Sequence, residues 1–414
     1  MTLSNFAEII SVCRCQGGQR PGGEDMKHQA RLLAVAACLL ASAAYAEDFH
    51  GFDPLKFDGN MLSADNLKAM AADAAKATPP KNGKAYSIGF ANLQRDIAFG
   101  VLVEKGIQQN ADAAGVELVI ADNRLDGPTA LANAKSFTER KVDYVIEFQT
   151  DANFGQAVMD VFKADGTKVT AIDIPMPGAS FFGVNNPKSG FMGGSYLATA
   201  AQKKFGADAV KTGYLVIGAL PQSGVIPRMR TEGQKAGFMA LTKDFPADHI
   251  IEIDTKNTLQ ESFAQMNNVI GRIPPGVPIL LIAINDQATM GMLQAVRAAG
   301  RVDQAIAVGN GADEAEALAT DPNLVAATGS FPGSYGNYLI PIALSALAGK
   351  PVPEATFVTH QMVTKANICK FYKDFPCVGE EDGYKFPETE FATYLADLKK
   401  QDWLKGYEAI LPQQ

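Results

Sequence analysis

Histidine and tryptophan are scarce in this sequence, with four and one among 414 residues. His50, His249 and His360 lie far apart, and no cysteine–histidine pair has the spacing of a metal site. No Gly-x-Ser-x-Gly elbow occurs. Ser223, the nearest candidate nucleophile, has no evident base, so exported hydrolase chemistry is a weak alternative. Long basic runs are also missing, and the formal net charge is −8, which argues against a nucleic acid or an anionic membrane as partner. After residue 46 no apolar stretch is long enough to cross a bilayer. What remains is an ordinary globular composition, 47% apolar and 20% charged, long enough for two domains.

The first 46 residues carry three of the five cysteines and a targeting pattern. Met26 to Arg31 is short and positive, 32–40 is apolar, and Ala44-Tyr45-Ala46 has the small-x-small form of a cleavage site. Together they predict a secretory signal peptide over 26–46, too short in its apolar part for a membrane span. A lipoprotein box ending at Cys38 is the competing reading, but that cysteine sits inside the apolar run rather than after it. Residues 1–25 have no targeting logic and read as an over-extended gene start. After cleavage only Cys369 and Cys377 remain. Two cysteines in an exported chain predict a disulfide, with a pair of free thiols as the alternative.

Residues 47–83 read as an N-terminal extension with one short helix near 64–77, closed by Pro79-Pro80 and Gly83. A regular alternation then begins. Apolar runs at 85–91, 116–121, 142–148 and 168–174 are separated by helical patterns at 97–114, 128–140 and 154–165. After a break near 182–187 the alternation resumes, with strands predicted at 213–218, 249–253, 278–283, 305–309 and 325–328 and helices between them. Continuously apolar strands alternating with amphipathic helices mean a parallel sheet covered on both faces, hence an α/β fold. The alternations are too many for one doubly wound sheet of usual size, so two sheets and two lobes are predicted.

Ligands of open parallel sheets bind beyond the carboxyl ends of the strands. The residues just after each predicted strand include Asn92, Gln94, Arg95, Asp96, Gln149, Thr150, Asp173, Gln222, Ser223, Asn285, Asp286, Asn310, Asp313, Ser330 and Phe331. Amides and carboxylates dominate this set. Such groups donate to and accept from hydroxyls in fixed geometry, which suits a sugar or polyol.

Several segments, in this order and spacing, resemble the type I periplasmic binding proteins of the ribose and galactose class. They include YSIGFANLQRDIAFGVLVEKGI, KVTAIDIP, GVNNPKSGFMGG, PRMRTEGQKAGF, ILLIAINDQATMGMLQAVRAAG and AIAVGNGADEA, and the resembling stretch runs over about 84–365. The resemblance implies two Rossmann-like lobes with parallel sheets, joined by three hinge crossovers and closing on a ligand. Lobe one is expected at 84–186 plus 331–357, and lobe two at 187–330 plus 358–414. It further implies a periplasmic, monomeric, non-catalytic protein without a cofactor. Such a protein would present a sugar or polyol to the membrane permease of an ABC importer. A chemoreceptor or sensor kinase is the alternative partner.

Carried over position by position, the family's ligand contacts fall on the loop from Asn92 through Asp96 to Phe99, on Asp173, Arg230, Asn285 and Asn310, and near Phe331. The arginine that commonly follows the strand-four carboxylate is Ile174 here, and the family's Gly-Phe-Asp-Gly turn reads Gly309-Asn310-Gly311-Ala312. Each residue also has a plainer reading. Asp173 could close a turn, Asn285 could cap the next helix, and Arg230 could be solvated beside Arg228. Phe99 and Phe331 could be ordinary core.

Overall fold

The computed structural model describes residues 48–54 and 56–412. The leader expected over 26–46 lies outside the described residues. Helix α1 (Ala64–Ala77) is capped by Ser63, whose hydroxyl accepts from the Asn66 amide. The first lobe then follows with β1 (Ser87–Asn92), α2 (Ala98–Ala114), β2 (Glu117–Asp122), α3 (Gly127–Glu139), β3 (Tyr144–Glu147), α4 (Gly155–Asp165), β4 (Lys168–Ile172) and β5 (Ser180–Val184). Helix α2 ends on Gly115 and α4 on Gly166, both in the left-handed region at φ 71° and 72°. That conformation is nearly free of cost only for glycine.

The chain next builds α5 (Asn186–Phe205), α6 (Ala207–Thr212), β6 (Tyr214–Ala219), α7 (Val225–Leu241), β7 (Ile250–Asp254), α8 (Leu259–Ile270), β8 (Ile279–Ala283), α9 (Asp286–Ala298), β9 (Ala305–Gly311), α10 (Ala315–Thr320) and β10 (Leu324–Gly329). It returns through α11 (Gly336–Leu347) and β11 (Ala355–Val358), then crosses again to β12 (Gln361–Thr364) and ends with α12 (Glu388–Leu398).

Two six-stranded sheets result, in the orders β11-β5-β4-β3-β1-β2 and β12-β10-β9-β8-β6-β7. Within these sheets, among the described residues, all strand pairings are parallel except β10 with β12. The chain passes between the sheets three times: from β5 into α5, from β10 into α11 and from β11 into β12. The inner strands β1, β3, β8 and β9 are buried along their whole length because helices cover both faces. Strand β5 falls where the sequence pattern read as a break. Its five residues follow Pro177-Gly178 with no helix between β4 and β5, so the alternation gave no cue.

Two features hold the interior of the second lobe against its neighbours. Helices α5 and α7 touch backbone to backbone. A Cβ on Gly190 would lie 2.0 Å from the Arg230 carbonyl oxygen, and one on Gly194 would lie 1.9 Å from that of Gln234. The C-terminal segment adds an apolar cluster in which Phe391, Leu395, Leu404 and Ile410 join Ile174 and Phe181 of the first lobe to Phe191, Ile226 and Met229 of the second. Trp403 packs under the Arg228 guanidinium at 4.2 Å, so that arginine is stacked rather than merely solvated. Cys369 and Cys377 form the disulfide. The N-terminal segment packs on the first lobe, with Phe57 edge-on to Tyr338 at 4.9 Å and the Asn337 amide donating to the Gly59 carbonyl at 2.7 Å.

Candidate functional site

Between the carboxyl ends of the two sheets lies a cavity of about 80 Å³. The first lobe contributes Leu93, Ile97 and Phe99 after β1, Phe148 and Thr150 after β3, and Asp173 and Ile174 after β4. The second contributes Leu220 and Ser223 after β6, Arg230 on α7, Asn257 after β7, Ile284 and Asn285 after β8, and Asn310 at the end of β9. Ser330, in the second crossing, lines it as well. The lobes touch at its lip, where the Ser223 hydroxyl donates to the Thr150 carbonyl at 2.5 Å.

Asp173 is held in an unusual backbone conformation. Its φ is +56°, in the left-handed region that non-glycine residues adopt rarely. Its own amide donates to the Phe182 carbonyl at 2.9 Å, and its Oδ1 accepts from the Val184 amide at 3.1 Å. Gly183 leaves the room for this: a Cβ there would stand 2.6 Å from Asp173 Oδ1. Burial raises the Asp173 pKa, opposed by the positive charge of Arg230 and by the Val184 hydrogen bond. A strained backbone maintained by its surroundings is the kind of feature that gathers at functional sites.

Arg230 faces Asp173 from the other lobe. Its Nε donates to Asn186 Oδ1 at 2.7 Å, and its Nη1 donates to the Ile284 carbonyl. The close approach of α5 and α7 brings Asn186 and Arg230 together. Asn285 accepts the Ala288 amide at 2.7 Å as the cap of α9, while its Nδ2 donates to Asn257 Oδ1 at 2.8 Å. It therefore fills both roles considered for it, capping the helix and lining the cavity. Asn310 Oδ1 accepts the Ser189 hydroxyl at 2.7 Å. Phe99 meets Phe148 and Tyr335 edge-on at 5.9 Å each, one ring of an aromatic wall.

Below the cavity floor, Asp286 Oδ2 accepts the amides of Asp313 and Glu314 at 2.9 and 3.3 Å. Burial raises the Asp286 pKa to about 6, helped by the charge of Glu314, and burial with the charge of Asp286 holds Asp313 well above the usual carboxylate range. His360, in the third crossing, is pushed down to about 3 by burial and by the charges of Arg230 and Lys188, so it is neutral near pH 7.

Five of the eight residues expected from the sequence thus meet at one cavity: Phe99, Asp173, Arg230, Asn285 and Asn310. Three do not line it. The Asn92 side chain turns inward, donating to the Gly100 carbonyl at 3.0 Å and to Glu104 at 3.1 Å, so it braces the start of α2. Asp96 is exposed on the loop between β1 and α2. Phe331, at φ +52°, stacks on Phe371 at 4.9 Å against the core of the second lobe. Asn257 was missed, although it follows β7 and the same strand-end rule reaches it. The apolar lining residues carried no signal, because a Leu or Ile after a strand reads as core.

The sequence profile of the periplasmic binding protein domain matches residues 88–351. A ribose import binding protein of Bacillus subtilis is 23% identical over 283 residues, covering 67% of this chain and 87% of that protein. A Caulobacter myo-inositol binding protein, solved with myo-inositol bound, superposes with a TM-score of 0.60 at 18% identity, covering 69% of this chain and 96% of that one. An ABC transporter solute binding protein from Mycobacterium smegmatis, with bound glycerol, gives 0.60 at 21% identity, covering 72% and 98%. These likenesses extend over both lobes.

Proposed function

Since the chain belongs to the periplasmic binding protein domain family, we propose that it is the solute-binding component of an ABC importer and holds a sugar or polyol between its lobes. The observation that carries this reading is the pairing of Asp173 from one lobe with Arg230 from the other across one shared cavity. A carboxylate accepts from ligand hydroxyls, a guanidinium donates to ligand oxygens, and in a water-poor cleft both bonds are stronger than in solvent. The hydrogen bond from Ser223 to Thr150 closes the lip, as expected of a clamp that shuts over its solute by hinge motion.

The cavity supports capture and release rather than bond breaking. Asp173 Oδ1 holds the Val184 amide, and Ser223 donates its proton to a carbonyl instead of sharing one with a base. The protein acts as a monomer in the periplasm after loss of residues 26–46, and a permease takes the solute from it. In this reading Phe99, Asp173, Arg230, Asn285 and Asn310 touch or frame the ligand, and Asn257 joins them.

Isothermal titration of the purified protein against a panel of sugars and polyols tests this. At least one compound should bind and be recovered chemically unchanged. Asp173→Asn should weaken it by about ten- to hundredfold, the loss of one charge-assisted hydrogen bond of about 1.5–3 kcal/mol. Conversion of the bound compound, or unchanged affinity in the variant, contradicts the proposal.

A further inference from the structure

Each polar residue of the cavity keeps only part of its hydrogen-bonding capacity for a ligand, because the rest is engaged with the protein. Two of the Arg230 nitrogens are committed, leaving Nη2. Asn285 is used at both ends. Asn310 and Asn257 have each given their Oδ1 to the protein and keep an amide NH2. Asp173 has given Oδ1 and keeps Oδ2. Ser223 has given its proton to Thr150. Besides the hydroxyls of Thr150 and Ser330 and the acceptor lone pairs of Ser223 Oγ, that leaves three donor groups, all on the second lobe, and one carboxylate oxygen on the first.

The remaining wall is hydrocarbon. Leu93, Ile97 and Ile174 face the ligand from the first lobe and Leu220, Ile226 and Ile284 from the second. A hexopyranose carries five hydroxyls, each with a proton to donate and two lone pairs. Hydroxyls turned to the hydrocarbon wall find no polar partner there, and in a cavity of about 80 Å³ a hydroxyl pressed on these side chains has little water to turn to.

Resting on the reading of the site as a sugar or polyol pocket, we propose that its ligand is a partly deoxygenated one. It has a hydroxylated edge for Asp173, Arg230, Asn257 and Asn310, and a bare hydrocarbon edge for the leucine and isoleucine wall. The hydroxylated edge is oriented by the cleft, with ligand protons toward Asp173 and ligand oxygens toward the donors of the second lobe. A 6-deoxyhexose or a short deoxypolyol has this form.

Matched pairs differing by one hydroxyl test the proposal: L-fucose with L-galactose, L-rhamnose with L-mannose, and 1,2-propanediol with glycerol, each titrated calorimetrically into the full-length mature protein. In at least one pair the deoxy member should bind about tenfold or more tighter, the discrimination one mismatched group gives in a pocket of this kind. Leu93→Asn, which adds polar atoms to the wall at little change in volume, should narrow that ratio. Ile284→Thr serves the same end if the first variant does not give a cooperative melt. Equal or tighter binding of the parent compound in every pair, or a ratio that both variants leave unchanged, overturns this inference alone. Absence of binding by both members of all pairs overturns it together with the sugar or polyol reading.

Discussion

A carboxyl group buried without a cation resists ionisation, and Glu147 is such a group. It ends β3, is fully buried, and accepts from Asn123 Nδ2 at 2.8 Å with its other oxygen unpaired. Burial raises its pKa to about 8, against about 4.5 in the unfolded chain. The folded state therefore holds a proton that the unfolded state has lost between these values. The contribution to stability is full below about pH 4.5 and is lost as pH rises through about 8. Glu147→Gln keeps the shape and removes the titration. Its stability to denaturant should be close to that of the unsubstituted protein near pH 5 and exceed it near pH 9, by on the order of a few kcal/mol. Parallel curves at both pH values would contradict this.

At the same scale, Asp173, Asn285 and Asn310 were legible because position after a strand is a sequence property, whereas Arg230 on α7 and Phe99 at the start of α2 were reached through the family resemblance. Asn92, Asp96 and Phe331 share that position but not the cavity, since the direction a side chain takes there depends on loop dihedrals and partners that the sequence does not display. The inward turn of Asn92 onto the Gly100 carbonyl and the left-handed backbone of Phe331 are the particular causes.

Among the elements, the contact of α5 with α7 does most to place the site, because it sets Asn186 beside Arg230. Its glycines are there for closeness. Gly194→Ala would place a methyl group 1.9 Å from the Gln234 carbonyl oxygen, which forces the helices apart. Overpacking of this kind costs about 1–3 kcal/mol or more, so urea denaturation should show a lower midpoint, with ligand affinity reduced as Arg230 shifts. An unchanged midpoint would mean that the helices do not pack this tightly. The alternating elements were readable from hydrophobic period. Strand β5 and the pair β11 and β12 were not, since they are four or five residues long and are not bracketed by the strand–helix rhythm. Helix α12 lies beyond the alternating region, and its partners are distant in sequence.

On the scale of the whole molecule, the lobes are coupled in three ways: by the chain crossings, by the Ser223–Thr150 bond at the lip, and by the apolar cluster that the C-terminal segment completes. Any opening that parts Ile174 and Phe181 from Ile226 and Met229 must also rearrange the contacts of Leu404 and Ile410. A solute bound at a hundred times its Kd would add about 2.7 kcal/mol to the stability of the closed form.

A crystal structure of the complex with the tightest-binding compound of the titrations tests the central claim most directly. The account expects the solute in the cavity between the sheets, with its oxygens about 2.7–3.0 Å from Asp173 Oδ2 and Arg230 Nη2. A solute seated elsewhere, or one in the cavity that touches neither side chain, would contradict it.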